Sequence, residues 1–330
     1  MCSMISRSTA GGSSSSMRSW SIAPILALAA PAGAADTSDP SLVPGSLLYR
    51  LAAAGVLTAL VFITLKVTRF WRLPPLRRTD SIGPPHPLAW FAGAFAVYLV
   101  AQVLGGLAAM GVTDSPATPG STPDFPNLAR SSAAFYSVAV VISVGSIALF
   151  RRFGKRPPEP SVPWSGLLIG LVGFVVAVPV LAAVGDLSAL LHTWIVGTRP
   201  DPIAHGTLQV LLEHRSDPLV LLLFAGAVVG APVFEETVYR GLLQTSLVRA
   251  IRVRWLAIGL TAGLFTLAHT GAGGGVPYQA LPQICTVGVV CGILREHPKA
   301  GLSGAMVFHA LFNAGNILLA LYLVPVGSPP

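Results

Sequence analysis

Six side chains with acid–base or hydrogen-bonding chemistry lie inside stretches of the chain that are otherwise almost entirely apolar. They are Glu235, Glu236, Arg240, His269, His309 and Asn313. Carboxylates and imidazoles can exchange protons with water, and amide or imidazole N–H groups can bind a developing negative charge. Because an ionisable group inside a membrane is costly without partners, it marks a candidate functional site.

The two adjacent glutamates have different predicted roles because of where Arg240 lies. In the stretch PVFEETVYRGLL, Arg240 follows Glu236 by four residues, which places both on one face of a helix. The pair is predicted to be a structural clamp, since a buried carboxylate beside an arginine can stay ionised. Glu235 points about 100° away and is predicted to act as a general base. The alternative is that both glutamates lie at the cytoplasmic interface.

Two histidines lie in other apolar runs. His269 ends the stretch LFTLAH, whereas His309 and Asn313 are one helical turn apart in HALFN. A single histidine in an apolar helix is more often a packing residue than a catalyst. Two of them, together with an asparagine and a paired carboxylate on neighbouring helices, favour one shared site.

The composition is that of a membrane protein with many spans. Hydrophobic residues make up 53% of the chain and charged residues 10%, whereas a soluble domain has about a quarter charged residues. The mean hydropathy is +0.70. Apolar runs of about 20 residues without alternation indicate helices. The predicted fold is therefore all-α, a polytopic transmembrane helix bundle.

About eight spans are predicted, and short clusters of Lys and Arg lie between them. The net charge of +8 is explained by the positive-inside rule, so no nucleic-acid partner is predicted. The rule places the first, third, fifth and seventh connections in the cytoplasm. The spans are expected at about 46–68, 88–112, 131–150, 164–191, 218–248, 255–270, 276–294 and 301–324.

The start of the chain has the pattern of a signal peptide or an uncleaved anchor: a low-complexity stretch, a short basic segment and an apolar core followed by small residues. We divide the chain into this start, residues 1–41, a front set of transmembrane helices, residues 42–217, and a back set, residues 218–330. The chemistry-bearing residues all fall in the back set.

Three motifs in the back set resemble those of the CAAX prenyl protease and bacteriocin-processing (CPBP) family of intramembrane proteases, also described as the Abi family. EExxxR stands at Glu235–Arg240, FxxxH at Phe265–His269 and HxxxN at His309–Asn313. Each motif is short, but three in order on separate apolar helices form a specific combination. The resemblance covers roughly residues 218–324.

The resemblance implies an endopeptidase in which Glu235 and His269 activate a water molecule. His309 and Asn313 would stabilise the oxyanion, and Glu236 with Arg240 would hold their helix in register. Metal use stays open, because Glu235, His269 and His309 are a possible zinc set. The absence of an HxxxH or HExxH spacing favours a metal-independent site.

The predicted protein is thus an intramembrane endopeptidase of the cell membrane, of bacterial type. Its partners would be membrane lipid and a peptide or protein substrate that is membrane-associated or lipid-anchored. Two alternatives come from other classes. A proton-coupled transporter would use the same glutamates and histidines as a relay, and a membrane scaffold of the same fold would have no catalytic activity.

Overall fold

The computed structural model describes residues 45–67, 84–113, 124–153, 163–198, 200, 206–270 and 276–323. Within these ranges the chain forms nine helices and no β-strand, so the all-α prediction is confirmed. The helices are α1 (Gly45–Val67), α2 (Pro87–Gly111), α3 (Phe125–Arg152), α4 (Pro163–Val196), α5 (Gly206–Glu213), α6 (Val220–Ile251), α7 (Arg254–Ala268), α8 (Leu281–Glu296) and α9 (Gly301–Leu323).

Six of the described helices are long and apolar enough to cross a membrane: α1, α2, α3, α4, α6 and α9. Helices α7 and α8 correspond to the predicted spans at 255–270 and 276–294 but have 15 and 16 residues. They are about 22 and 24 Å long, against a hydrocarbon core of about 30 Å. The polytopic helical bundle is confirmed, with six full-length helices and two shorter ones among the described residues.

The observed helices differ from the predicted spans in several places. Helix α3 begins at Phe125 rather than near residue 131, because Pro126 lies in the first helical turn, where a proline is tolerated. The short helix α5 lies in the connection between the fourth and fifth predicted spans, where no helix was expected. The predicted signal-like segment, residues 1–41, lies outside the described residues.

Helix α6 lies at the centre of the bundle. It packs against α2 and α3 on one side and against α7, α8 and α9 on the other. Helix α4 packs against α8 and α9, and α1 packs against α4. The front helices therefore surround the back set that carries the chemistry, although the division at residue 218 stays a prediction.

A small-residue groove on α6 receives a ring from α3. A Cβ added at Gly230 would lie 2.5 Å from the Cβ of Tyr136, and one added at Gly226 would lie 3.0 Å from its Cδ2. Only glycines allow this approach, as in other small-xxx-small contacts between membrane helices. The GxxxG pattern of α6, Gly226 and Gly230, thus serves packing within the bundle.

The outermost helix α1 is linked to the bundle by an ion pair. Arg50 Nη2 lies 3.1 Å from Asp186 Oδ1 of α4, and Asp186 is buried. Charges inside transmembrane helices usually pair with one another. This pair joins a helix with an exposed apolar surface to the helix that packs on α8 and α9.

Candidate active site

The carboxylate of Glu236 joins two helices at the centre of the bundle. Its Oε1 accepts hydrogen bonds from Arg240 Nη1 on α6 and from His309 Nδ1 on α9, both at 2.9 Å. Glu236 and Arg240 are fully buried, and His309 is nearly so. The i,i+4 spacing predicts the first contact, and the structure contains it. The second contact shows that Glu236 also fixes the orientation of the His309 ring.

Glu235, the neighbouring residue, has a different environment. Its side chain is 21% exposed, and its Oε2 lies 3.9 Å from His309 Nε2. That separation is too long for a direct hydrogen bond. With Nδ1 donating to Glu236, the opposite nitrogen of His309 faces Glu235. Thus one imidazole lies between the two glutamates. The Glu236 side chain is fully buried and that of Glu235 is partly exposed, although the Oε2 atom of Glu235 is itself buried.

The depth of the glutamates argues against the interface alternative. Glu235 lies 15 residues after Val220 and 16 before Ile251, the ends of α6. It is therefore about 22 Å from one end of the helix and about 24 Å from the other. Since Glu236 is also fully buried, the pair lies near the middle of the longest helix of the back set.

Phe265 of α7 packs at the centre of the site. The Arg240 guanidinium lies over its ring, with Cζ 4.3 Å from the ring centroid. The same ring lies 4.5 Å from that of His269 and 5.8 Å from that of His309, centroid to centroid. The phenylalanine of the FxxxH motif thus contacts one residue from each of the three motifs, a role that sequence reasoning did not assign to it.

His269 lies directly after the last residue of α7 and is partly buried. Its Nδ1 donates to the carbonyl oxygen of Phe265 at 2.7 Å, which leaves Nε2 as a proton acceptor. No hydrogen bond or ion pair joins His269 to Glu235 in the part of the chain that the structure describes. The two predicted water-activating groups, Glu235 and His269, belong to the same cluster but do not contact each other directly. His269 packs on Phe265, Phe265 packs on His309, and His309 faces Glu235.

Asn313 connects α9 to α6. Its Nδ2 donates to the carbonyl oxygen of Ala227 at 2.8 Å. The sequence predicts an oxyanion-binding amide here, whereas the structure shows one of its N–H groups bonded to the backbone. A role in oxyanion binding stays a prediction and would use the second N–H of the same amide.

Two wide π-helical turns flank the glutamates in α6, at Gly226–Gly230 and Thr237–Leu243. Such turns change the backbone hydrogen-bond pattern and often occur at functional sites. In each turn a carbonyl oxygen accepts a side-chain donor: Ala227 O from Asn313, and Arg240 O from Arg295 Nε at 3.1 Å. Nothing in the apolar pattern of the sequence predicted these turns.

A second polar group extends from Arg240 towards the end of α6. Gln244 is fully buried, and its Nε2 donates to Gly292 O and Glu296 Oε1, both at 3.0 Å. Glu296 Oε2 lies 3.4 Å from Arg254 Nε. Sequence reasoning missed Gln244, although its position four residues after Arg240 was a usable signal.

One cluster of metal-ligand residue types occurs among the described residues. Ligand atoms of Glu236, Cys291 and His309 lie within 4.8 Å of one another and could hold a metal ion. The zinc set considered from the sequence, Glu235, His269 and His309, does not form such a cluster. The close approach of α8 to α6 brings the Cys291 thiol to Glu236. Both Cys285 and Cys291 are free thiols.

The fold defines the protein as a multi-pass integral membrane protein, with a buried carboxylate–arginine–histidine cluster at its centre. A family model described as type II CAAX prenyl endopeptidase Rce1-like matches residues 217–315. This match is consistent with the CPBP family, so the predicted resemblance is confirmed for that segment, which contains all six predicted site residues. No curated protein and no solved structure matches the chain.

Proposed function

We propose that the protein is an intramembrane endopeptidase that hydrolyses a peptide bond in a membrane-associated or lipid-anchored polypeptide. The observation that carries the proposal is the arrangement around His309. Glu236 holds its Nδ1 at 2.9 Å, and Glu235, whose side chain is partly exposed, faces its Nε2 at 3.9 Å. One glutamate is thus fixed by partners, whereas the other is accessible for proton transfer.

In the proposed reaction, Glu235 takes a proton from a water molecule, and the water oxygen attacks the peptide carbonyl carbon. His269 assists, because its Nε2 is free to accept a hydrogen bond from the same water. The attack converts the carbonyl oxygen into an oxyanion. When this intermediate collapses, the C–N bond breaks and the proton held by Glu235 passes to the leaving nitrogen.

Binding of the oxyanion is assigned to His309 and Asn313. With both ring nitrogens protonated, His309 donates Nδ1–H to Glu236 and Nε2–H to the oxyanion. Arg240 and protonated His309 then balance the charges of Glu236 and the oxyanion, because Glu235 is neutral while it holds the proton. Preorganised donors of this kind stabilise charge strongly where water is excluded.

We infer that this site works without a metal ion. The ligand-type residues Glu236, Cys291 and His309 lie close together, but Arg240 donates to the same carboxylate oxygen. A cation bound there would lie next to a buried guanidinium. His309 Nδ1, which would have to supply a lone pair, donates its proton to Glu236 instead. Metal analysis of active protein, together with a chelator, tests this inference.

A proton relay for transport uses the same residue types, but the contacts of Glu236 favour the peptidase. A relay carboxylate has to change partners as it gains and loses a proton. Glu236 is instead held by Arg240 and His309 on one oxygen.

The signal-like start and the basic connections support a bacterial cell membrane as the location.

The test uses purified protein in lipid nanodiscs and three sets of fluorogenic peptides: prenylated at a C-terminal cysteine, acylated at the N-terminus, and without lipid. We expect cleavage of a lipid-bearing set by the wild-type protein and by Thr261→Val. Thr261 is a suitable control because it is buried in α7 and bonds only within its own helix.

Glu235→Gln and His269→Ala are expected to abolish the cleavage. Full activity in both variants would refute the mechanism. Uptake into proteoliposomes that follows a pH gradient, without cleavage of any peptide set, would favour the transporter. A protein with neither activity would fit the scaffold alternative. Comparing the membrane proteomes of cells with wild-type protein and with Glu235→Gln would then identify the substrate.

A further inference from the structure

Helix α6 has a stripe of three fully buried polar side chains with a spacing of four residues: Glu236, Arg240 and Gln244. This spacing places them on one face of the helix. The proposed mechanism uses the first two. Gln244 lies two turns from Glu236 and has no part in the proposed chemistry, yet it is as deeply buried as the other two.

Helix α8 supplies two acceptors with the same spacing. Gly288 O accepts a hydrogen bond from Arg240 Nη2 at 3.1 Å, and Gly292 O accepts one from Gln244 Nε2 at 3.0 Å. Both contacts join residues 48 positions apart. The two helices therefore lie side by side in one register, linked by two polar contacts one turn apart.

The glycines of α8 leave room for these contacts. A Cβ added at Gly288 would lie 3.2 Å from Arg240 Nη2, and one added at Gly292 would lie 3.0 Å from Gln244 Oε1. At Gly292 it would also lie 2.8 Å from a methyl group of Ile258. The groove of α8 is thus shaped to receive these two side chains.

Glu296 completes the second contact. Gln244 Nε2 also donates to Glu296 Oε1, and the other oxygen of Glu296 faces Arg254 at the first turn of α7. A buried charge pair contributes little net stability compared with apolar packing. Where such pairs are retained, one attested role is to fix the register of packed helices. The chain Gln244–Glu296–Arg254 joins α6, α8 and α7 beyond the candidate site.

We propose that Gln244 is a positioning residue that, through Gly292 and Glu296, fixes the register of α6 on α8. This proposal rests on the proposed peptidase function. A shift of α6 along α8 would move Arg240 away from Gly288 O and would carry Glu236 away from His309. Because hydrogen bonds weaken steeply with geometry, a displacement of less than one turn is enough to release the His309 ring.

The experiment compares four variants with the wild type: Gln244→Met, Gln244→Glu, Glu296→Gln, and the double variant Gln244→Glu/Glu296→Gln. Thr261→Val is the control. Cleavage of the lipid-bearing fluorogenic peptide is measured below the lowest melting temperature of the set. Gln244→Met keeps the volume of the side chain without its donors, so it is informative if the charged variants do not fold.

We expect Gln244→Met and Gln244→Glu to lower kcat by about 10- to 100-fold, the usual effect of a small misplacement. KM should change by less than about threefold, since the substrate contacts are intact. In the double variant the amide and the carboxylate exchange places, so the contact between positions 244 and 296 is restored, whereas the hydrogen bond to Gly292 O is not, because a carboxylate cannot donate. Its kcat should exceed that of Gln244→Glu by about fivefold or more.

Two outcomes overturn the proposal. One is a lower melting temperature with kcat equal to that of Thr261→Val, which would show a purely structural role. The other is a double variant that is no better than Gln244→Glu. If the wild type cleaves no peptide, the proposed function fails. Hydrogen–deuterium exchange then tests the register of α6 on α8 independently of any peptidase activity. Gln244→Met should then increase exchange in both 236–243 and 288–292, and unchanged exchange would refute it.

Discussion

The two adjacent glutamates provide a sharp test, because the same substitution is expected to lower stability at position 236 and activity at position 235. Glu236→Gln removes the charge from an oxygen that accepts from both Arg240 and His309. The buried guanidinium then loses its anionic partner. Breaking a buried pair in this way costs about 3–5 kcal/mol, which corresponds to a melting temperature about 6–20 °C lower for a domain of a few hundred residues.

Glu235→Gln should behave differently. The Glu235 side chain is 21% exposed and is not held by an arginine, so its isosteric replacement should change stability by less than about 1 kcal/mol. Activity should nevertheless fall by about 10²- to 10⁴-fold, the usual contribution of a general base. The substitution at 235 therefore removes activity, and the one at 236 removes stability.

Both effects can be measured on the same samples. A thiol-reactive dye reports unfolding when every sample also carries Cys2→Ser and Cys285→Ser, because the remaining thiol, Cys291, is completely buried in the folded protein. Peptide cleavage reports activity. Equal destabilisation by the two variants would refute the assignment of different environments. An unchanged melting temperature for Glu236→Gln would refute the ion-pair argument.

Three further predictions concern other parts of the bundle. Phe265→Leu removes the ring that lies against the Arg240 guanidinium. It should therefore lower kcat by about tenfold, measured by peptide cleavage. It should also lower the free energy of unfolding by about 1–2 kcal/mol, measured by thermal unfolding. Arg50→Leu should lower the melting temperature, because it leaves the buried Asp186 carboxylate without its partner. The double variant Arg50→Leu/Asp186→Leu should regain most of that loss, since it has no unpaired buried charge. Decreases in melting temperature that simply add in the double variant would contradict this. Burial, and secondarily the charge of Lys299, lower the pKa of His297 from 6.5. Near this pH the folded state therefore binds fewer protons than the unfolded state. The free energy of unfolding should fall as the pH drops below 6.5, and this fall should be smaller in His297→Gln.

The parts of the structure that could be predicted are those encoded within single helices. Hydropathy alone indicated the long helices, and a spacing of four residues was enough to pair Glu236 with Arg240. Each of these features depends on residues within one or two turns of each other, where helix geometry fixes the relative positions.

Contacts between helices could not be predicted in the same way. The motifs predicted that His309 joins the site, but not that its Nδ1 binds Glu236 or that Asn313 binds the backbone at Ala227. Such partners depend on how far one helix is shifted along another, and an apolar surface permits many shifts. Cys291 shows the same limitation, since its distance from Glu236 depends on the approach of α8 to α6.

The register of α6 is therefore the central physical property of the site. Glu236, Arg240 and Gln244 lie on one face, and each has a partner on another helix: His309 on α9, and the carbonyl oxygens of two glycines on α8. A shift of α6 would break all three contacts together, leaving buried polar groups unpaired at a cost of several kcal/mol. Apolar packing alone would not distinguish the registers so strongly. The buried polar groups thus specify one arrangement of the bundle, and that arrangement keeps Glu235 facing His309.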